Sequence, residues 1–257
     1  MSLVDPSLRA DPYCGPAPLP ETLLGTWNLD PALLAVLALA GVVGTWRLRM
    51  IGDPRRVRAF GVASAVSVVA FLSPLCALTV ALFAARGVHH LLLIFALAPA
   101  LALAFPLRRI GAGMGFLALS AALWLWHVPV IYALAWDHAS VYWALQLALI
   151  LPAWAFWSAL LHDARGVASR LGASLQLGAL AGQMGLIGAI LTFSPRVLYP
   201  EHLALAERFG LTALSDQQLA GLVMWVPGMV PVAFAAAWML RAAWAEAEHG
   251  ERQGDRT

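Results

Sequence analysis

The sequence is poor in charge and contains no lysine at all. Only 12% of its 257 residues are charged, whereas 61% are hydrophobic and the mean hydropathy is +0.77. A water-soluble domain carries about twice that share of charged residues. The composition therefore excludes an ordinary soluble protein and predicts an integral membrane protein whose immediate partner is the lipid bilayer.

The chain also lacks the short motifs that carry hydrolytic or nucleotide chemistry. It contains no Cys-x-x-Cys, no P-loop, no Gly-x-Ser-x-Gly and no His-Glu-x-x-His. Gly111, Gly113 and Gly115 imitate a nucleotide-binding loop, but no strand precedes them. These absences exclude the usual hydrolases and ATPases. We predict a protein that is not an enzyme and does not bind nucleic acid.

Long apolar segments make up most of the chain, and about 20 apolar residues suffice to cross a bilayer. We therefore predict an all-α, polytopic membrane helix bundle with about seven transmembrane helices. The predicted spans are 31–46, 59–72, 89–105, 112–133, 141–161, 171–193 and 218–240. This pattern divides the chain into an exposed N-terminal arm (1–29), a transmembrane domain (30–241) and a polar cytoplasmic tail (242–257). The arm lacks the basic stretch and apolar core of a cleavable signal peptide.

Arginines mark alternate loops and so predict the orientation. The positive-inside rule assigns such loops to the cytoplasm, which leaves the N-terminus outside and the C-terminus inside. The remaining loops carry carboxylates and only a few arginines. We expect a bacterial inner (cell) membrane. The arginines of the predicted cytoplasmic loops and tail are Arg47, Arg49, Arg55, Arg56, Arg58, Arg108, Arg109, Arg165, Arg170, Arg241, Arg252 and Arg256, and those of the outer loops are Arg86, Arg196 and Arg208.

Five of the seven histidines fall at or beyond the outer ends of predicted spans. An imidazole beside hydrocarbon is costly unless it has a partner, so several at one depth suggest a site. His89 and His90 open the third span, and the alternative is that they only bond lipid headgroups and water. His127 lies beside Pro129, which should kink the fourth span and free a carbonyl. His138 follows a carboxylate in a short loop and could simply be solvated, and His202 is a weaker candidate.

Three other polar residues could support such a site. Asp216 either caps the last span or orients a histidine. Gln146 is either part of the site's surroundings or a hydrogen-bonding link between helices. Tyr199 lies on the same face after the sixth span. Cys14 and Cys76 both face outward, so the sequence allows a disulfide or a thiolate contribution to metal binding.

The order of several short motifs resembles the CtaG family of cytochrome c oxidase assembly factors, which are seven-helix membrane proteins. The resemblance covers most of the chain. Its motifs are Ser73-Pro74-Leu75, His89-His90-Leu91-Leu92-Leu93, Ala98-Pro99, Pro106, Trp126-His127-Val128-Pro129, Phe156-Trp157, Thr192-Phe193-Ser194-Pro195, Tyr199, Asp216-Gln217-Gln218-Leu219-Ala220-Gly221 and Met224-Trp225-Val226-Pro227-Gly228.

The chain departs from the family pattern at two positions. His90 resembles the second histidine of a His-Met-x-x-His type motif, but Arg86 stands where the first is expected. Gln146 stands where the family often has a histidine early in the fifth helix.

The resemblance implies a non-enzymatic role in oxidase maturation, in which the protein assists copper delivery to the catalytic subunit or acts with another assembly factor. Outer-face histidines suit copper(I), which accepts a few imidazole, thioether or thiolate ligands. The metal candidates are His89, His90, His127 and His138, with Asp216, Gln146 and Tyr199 in support. Two alternatives remain open at this point. One is a haem-binding or redox enzyme with paired histidine ligands, and the other is a small-solute or ion transporter, although the predicted spans contain almost no charge.

Overall fold

Ten α-helices account for most of the residues that the structure describes, and no strand occurs among them. The structure is a computed structural model that describes residues 12–107 and 109–254, so Arg108 and both chain ends lie outside the described residues. The prediction of an all-α protein is confirmed. The helices are α1 (Pro31–Ile51), α2 (Pro54–Phe71), α3 (Pro74–Ala81), α4 (Phe83–Leu92), α5 (Ala98–Ala104), α6 (Ala112–Trp126), α7 (Pro129–Asp137), α8 (Ala139–His162), α9 (Val167–Phe193) and α10 (Ala213–Gly254).

The first three helices begin with the same pattern, a polar residue followed by proline. Asp30, Asp53 and Ser73 each precede a proline, and each side chain accepts a hydrogen bond from the first-turn main chain. Proline fits the first helical position because its missing N–H would have no partner there. The sequence therefore specifies these three helix starts locally.

Length and hydropathy identify the helices that can cross a membrane. Among the described residues, five continuous segments are long and apolar enough, and two bent pairs pass the same test together. The pairs are α2 with α3, bent by 43°, and α6 with α7, bent by 79°. Counting each pair as one span gives up to seven, in agreement with the predicted bundle of about seven helices.

The bend between α6 and α7 falls where Pro129 predicted a kink. Helix α6 ends at Trp126, and α7 restarts at Pro129. Residues 127 and 128 therefore form a short non-helical link. This link turns His127 away from the regular helix and leaves it half-buried.

Helix α10 packs along α9 and across α4, and glycines allow the close approach to α9. A Cβ added at Gly188 would come within 2.7 Å of the Gly221 carbonyl oxygen. Gly188 thus allows the backbones of α9 and α10 to pack closely. At Gly178 and Gly182 a Cβ would meet nothing within 4 Å.

A π-helical turn, Leu93–Leu97, joins α4 to α5. Pro99 follows it and cannot donate the hydrogen bond that a regular helix would send back to residue 95. The Trp157 indole N–H donates to the Ile94 carbonyl at 2.7 Å and so satisfies a main-chain acceptor inside this turn. The wider turn and its tryptophan partner keep the segment continuous across the membrane.

The segment 73–88, which lies between the predicted second and third spans, is almost entirely helical. It forms α3 and the first part of α4, and Cys76, Ala77 and Val80 are at most 4% exposed. Most of its residues are apolar, and they pack into the bundle instead of lying on its surface. The third membrane segment accordingly begins at Phe83, two turns before the predicted start at His89.

The described part of the N-terminal arm folds back onto one end of the bundle. Cys14 and Cys76 form a disulfide, and Asn28 donates through its side chain to the Phe71 carbonyl at 3.1 Å. We call this end of the molecule the arm end; it comprises residues 12–30, the start of α4, α7, the start of α8, the link 194–212 and the start of α10. The opposite end, with the links at 52–53, 105–111 and 163–166 and the last part of α10, is the arginine-rich end.

Candidate functional site

Helix α4 carries three buried polar residues near the arm end. Arg86 is 5% exposed, His89 is fully buried and His90 is 2% exposed. Spacings of three and four residues bring Arg86 to the same side of the helix as both histidines. The sequence predicted Arg86 in an outer loop; the structure corrects this, because α4 starts at Phe83 and encloses the arginine.

The ring of His90 lies between those of His89 and His127. The His89 and His90 ring centroids are 6.0 Å apart, and those of His90 and His127 are 6.2 Å apart. The indole of Trp126 covers His90 at 4.6 Å. The structure therefore brings together three of the four histidines predicted as metal ligands.

The hydrogen bonds of these rings differ. His127 Nδ1 lies 2.7 Å from the Leu123 carbonyl oxygen, so a neutral ring donates there and keeps an unprotonated Nε2. Among the described residues, neither ring nitrogen of His90 has a hydrogen-bond partner. His89 faces the Ala70 carbonyl but does not reach hydrogen-bonding geometry with it. Buried polar groups without partners are uncommon, so these rings are candidate ligand-binding groups.

Arg86 lies at the centre of this polar region. One of its terminal nitrogens, Nη2, is 3.4 Å from the Thr79 carbonyl oxygen, while Nε and Nη1 have no partner among the described residues. The guanidinium lies over Trp126 at 5.8 Å and over Tyr142 at 5.6 Å from the ring centroids. Within the described part of the chain, no carboxylate comes within ion-pair distance of it.

Gln146 belongs to the same region, whereas His138 does not contact it. Gln146 is fully buried on α8 beside Tyr142, and neither atom of its amide has a well-formed hydrogen bond within the described residues. Gln146 and Arg86 are the two positions at which the chain departs from the family pattern, and both face Tyr142. His138 is exposed at the start of α8.

Asp216 caps a helix, but the helix is α4 and not its own. Its carboxylate accepts from the Phe83 N–H at 2.6 Å and from the Ala84 N–H at 3.0 Å, and it is fully buried. These N–H groups would otherwise have no acceptor at the start of a buried helix. Asp216 therefore fixes the start of the helix that carries Arg86 and both histidines.

A second layer of aromatic residues supports His127. The Tyr199 hydroxyl donates to the His127 main-chain carbonyl at 2.9 Å, and Phe83 stacks on Tyr199 at 4.0 Å. Burial raises the pKa of Tyr199, so its hydroxyl keeps its proton and remains a donor. Tyr199 therefore holds the link between α6 and α7 in place.

His202 is more deeply involved than the sequence suggested. It is 1% exposed, and its Nε2 lies 2.8 Å from the Tyr132 hydroxyl while Nδ1 lies 3.3 Å from the Ala81 carbonyl oxygen. Since a carbonyl can only accept, Nδ1 donates and Nε2 accepts from Tyr132. Burial lowers the pKa of His202 to about 3. Its hydrogen bonds therefore connect the link before α10 to α3 and α7.

The N-terminal arm closes the region from outside. The Tyr13 ring stacks on Tyr142 at 5.2 Å, and the Tyr13 hydroxyl donates to the Asp30 carboxylate at 2.8 Å. Burial raises the pKa of Tyr13 to about 12, and this hydrogen bond lowers the pKa of Asp30. With the Cys14–Cys76 disulfide, these contacts hold the arm over Arg86.

The described residues contain no larger cluster of metal-binding side chains. Within the described ranges, no three side chains among histidine, cysteine, aspartate and glutamate converge in a metal-binding arrangement. Both cysteines are in the disulfide, so no thiolate is available there.

The fold and this region define a polytopic helical membrane protein with a buried polar cluster at one end. The family described as "Cytochrome c oxidase caa3 assembly factor (Caa3_CtaG)" matches residues 112–246, more than half of the chain. The chain belongs to this family, as its motifs predicted. The match runs from α6 into α10 and includes His127, Gln146 and Asp216. No curated protein and no solved structure matches the chain.

Proposed function

We propose that this protein, as a member of a family of oxidase assembly factors, holds copper between His90 and His127 and passes it to the catalytic subunit of a haem–copper oxidase. One observation carries the copper assignment: the two ring centroids are 6.2 Å apart. A metal–nitrogen bond measures about 2 Å and a ring nitrogen lies about 1.1 Å from its ring centre, so two imidazoles on opposite sides of one ion have centroids about 6 Å apart.

The free nitrogens support the same pair. His127 keeps Nε2 unprotonated because Nδ1 bonds to Leu123, and His90 has two nitrogens without a partner among the described residues. Copper(I) accepts few ligands and imidazole is one of them. Two exchangeable ligands suit a protein that must release its cargo, whereas a closed cage of four would retain it.

A route for release is also present. His127 borders a cavity of about 320 Å³ that is otherwise lined mainly by apolar residues of α6, α7, α9 and the link after α9, including Trp124, Pro129 and Tyr199. His90 is buried behind it. Copper held by the pair would therefore leave past His127 through this cavity.

Two independent features support an orientation with the arm end outside. The positive-inside rule favours the cytoplasm for loops rich in arginine, which supports an arm end that faces outward. A disulfide at the arm end fits an oxidising compartment such as a bacterial periplasm. We therefore propose an inner-membrane protein with its N-terminus outside, its C-terminus inside and its copper site at the outer face.

The test combines binding with oxidase maturation. Purified wild-type protein should take one copper(I) ion from a chromophoric chelator, and His90→Ala with His127→Ala should lower the affinity at least tenfold. Cells that carry the double variant should contain haem but little oxidase activity, and added copper should restore part of it.

His162→Ala is the matched control, because His162 lies at the arginine-rich end and contacts the Ala102 carbonyl at 3.1 Å. It should bind copper and support the oxidase normally. Normal copper binding by the double variant would refute the assigned pair. Normal oxidase activity in cells without this protein would refute the role in assembly. The copper(I) affinities of His89→Ala and His138→Ala then show whether the other two predicted ligands contribute to binding.

A further inference from the structure

We propose that Arg86 binds a small monovalent anion of about halide size in the cavity beneath the N-terminal arm. The site would combine the Arg86 guanidinium with the Tyr142 hydroxyl. This inference is independent of copper, because it concerns a different group and a different cavity.

The argument begins with the unpaired charge of Arg86. Its side chain is 95% buried by area, and arginine cannot lose its proton to escape the cost of burial. The carboxylate of Asp216 lies at the start of α4, the helix that carries Arg86, but it is occupied there by two main-chain N–H groups. A buried cation normally has a counter-charge, so an anion from solution is the missing component.

The guanidinium has free donors that face a cavity. Nε and Nη1 have no hydrogen-bond partner in the described part of the chain. Arg86 lines a cavity together with Tyr132, Tyr142, Trp126 and the arm residues Pro12 to Cys14. The rings of Trp126 and Tyr142 cover the faces of the guanidinium but cannot satisfy donors in its plane.

The two tyrosines that border the cavity are not equivalent. Tyr132 gives its proton to His202, so toward the cavity its oxygen can only accept. The Tyr142 hydroxyl lies near Arg86 and the Gln146 amide without a well-formed hydrogen bond to either, and Cys14 Sγ is 3.9 Å from it. It can therefore donate to an anion beside Arg86.

The cavity selects by size. Its volume of about 10 Å³ suits a single water-sized species and excludes organic molecules or phosphates. Tyr13 and Cys14 form its outer wall and are held by the disulfide and by the bond to Asp30. A small monovalent anion such as chloride matches the charge and, since it is slightly larger than a water molecule, would fill the space completely.

The experiment is thermal unfolding of the purified full-length protein in detergent at constant ionic strength. Sodium gluconate is replaced stepwise by sodium chloride, and separately by bromide or sulfate. Chloride and bromide should raise the melting temperature saturably by about 2–4 °C because they bind the folded state, while sulfate should not. Equal melting temperatures in gluconate and chloride would overturn the proposal.

Three variants test the assigned groups. Arg86→Gln should abolish the chloride-dependent shift. Tyr142→Phe keeps the ring but removes the hydroxyl, so it should raise the half-saturating chloride concentration several-fold. Tyr13→Phe is the matched control, since Tyr13 borders the same cavity but gives its proton to Asp30, and it should retain the wild-type shift. If Arg86→Gln fails to fold, the two tyrosine variants decide. Equal chloride responses in Tyr142→Phe and wild type would contradict the site.

Discussion

The two ends of this bundle treat their polar residues in opposite ways. At the arginine-rich end, Asp53 and Arg56 form an exposed i,i+3 pair, and Arg170 meets Glu246 at 2.7 Å while both remain partly exposed. At the arm end, Arg86, His89 and Asp216 are at most 5% exposed. Charge is thus solvated or paired at one end and buried at the other.

The polar residues at the two ends therefore have different roles, one in membrane orientation and the other in function. Exposed arginines cost little and act on the membrane insertion of the chain, so they carry topological information. Buried polar groups cost several kcal/mol unless they gain partners, so a protein retains them only where they serve a purpose. The arm end is consequently the part of the molecule at which sequence changes should have the largest effects.

Loss of the disulfide should have the largest effect on stability. Cys14→Ser with Cys76→Ser opens a loop of 62 residues and should cost about 4 kcal/mol by the loop-entropy estimate. The melting temperature in detergent should fall by about 8–16 °C. Reductant should lower the wild-type value and leave the double variant unchanged. A double variant as stable as the wild type would mean that the arm is held by its other contacts alone.

Removal of a helix cap should distinguish the two ends directly. Asp216→Ala leaves two buried N–H groups of α4 unsatisfied and should cost about 3 kcal/mol. Asp53→Ala removes the cap of α2 in water and should cost about 1 kcal/mol. Both values come from melting temperatures in the same detergent. Equal losses would contradict the contrast between a buried and a solvated cap.

Acid should weaken the arm end through His202. Burial lowers its folded-state pKa to about 3 from the ordinary 6.5. Between these values the unfolded chain binds a proton that the folded chain refuses, so stability falls as pH falls through this window. At pH 5, His202 alone should lower the free energy of unfolding by about 2 kcal/mol relative to pH 8.

The measurement is the melting temperature between pH 8 and pH 5. His202→Gln should be less stable at pH 8, because the ring's bonds to Tyr132 and Ala81 change, but should lose less on acidification. His162→Gln, at the arginine-rich end, should keep the wild-type slope. A His202→Gln slope as steep as that of the wild type would assign the acid sensitivity to other groups.

Two helical glycines give the smallest contrast. A Cβ at Gly221 would overlap Thr192 and the Gly188 carbonyl, so Gly221→Ala should cost about 1–2 kcal/mol by separating α9 from α10. Gly172 lies near the arginine-rich end with nothing within 4 Å of such a Cβ, and Gly172→Ala should stabilise by about 0.5 kcal/mol. Melting temperatures should therefore move in opposite directions; a shift in the same direction would contradict the packing assignment.

Local signals predicted the helices better than they predicted the site. Pro129 correctly marked the break beside His127, and the apolar segments identified the spans. Arg86 was missed because an arginine next to glycine resembles a loop, although its spacing to His89 and His90 could have placed it on their face of a helix. The cap that Asp216 gives to α4 joins residues 132 positions apart, and no local pattern carries such a pairing.

The sequence by itself determined that this is a helical membrane protein of the oxidase assembly family, because hydropathy, capping residues and motif order are properties of short segments. Tertiary structure decided which polar residues meet. Helices α4, α6 and α8 converge at the arm end, and their packing set the 6.2 Å spacing of His90 and His127 and enclosed Arg86 without a carboxylate partner. The burial of a side chain and its distance from other side chains depend on how whole helices pack. A short sequence segment therefore does not determine which polar residues form a site.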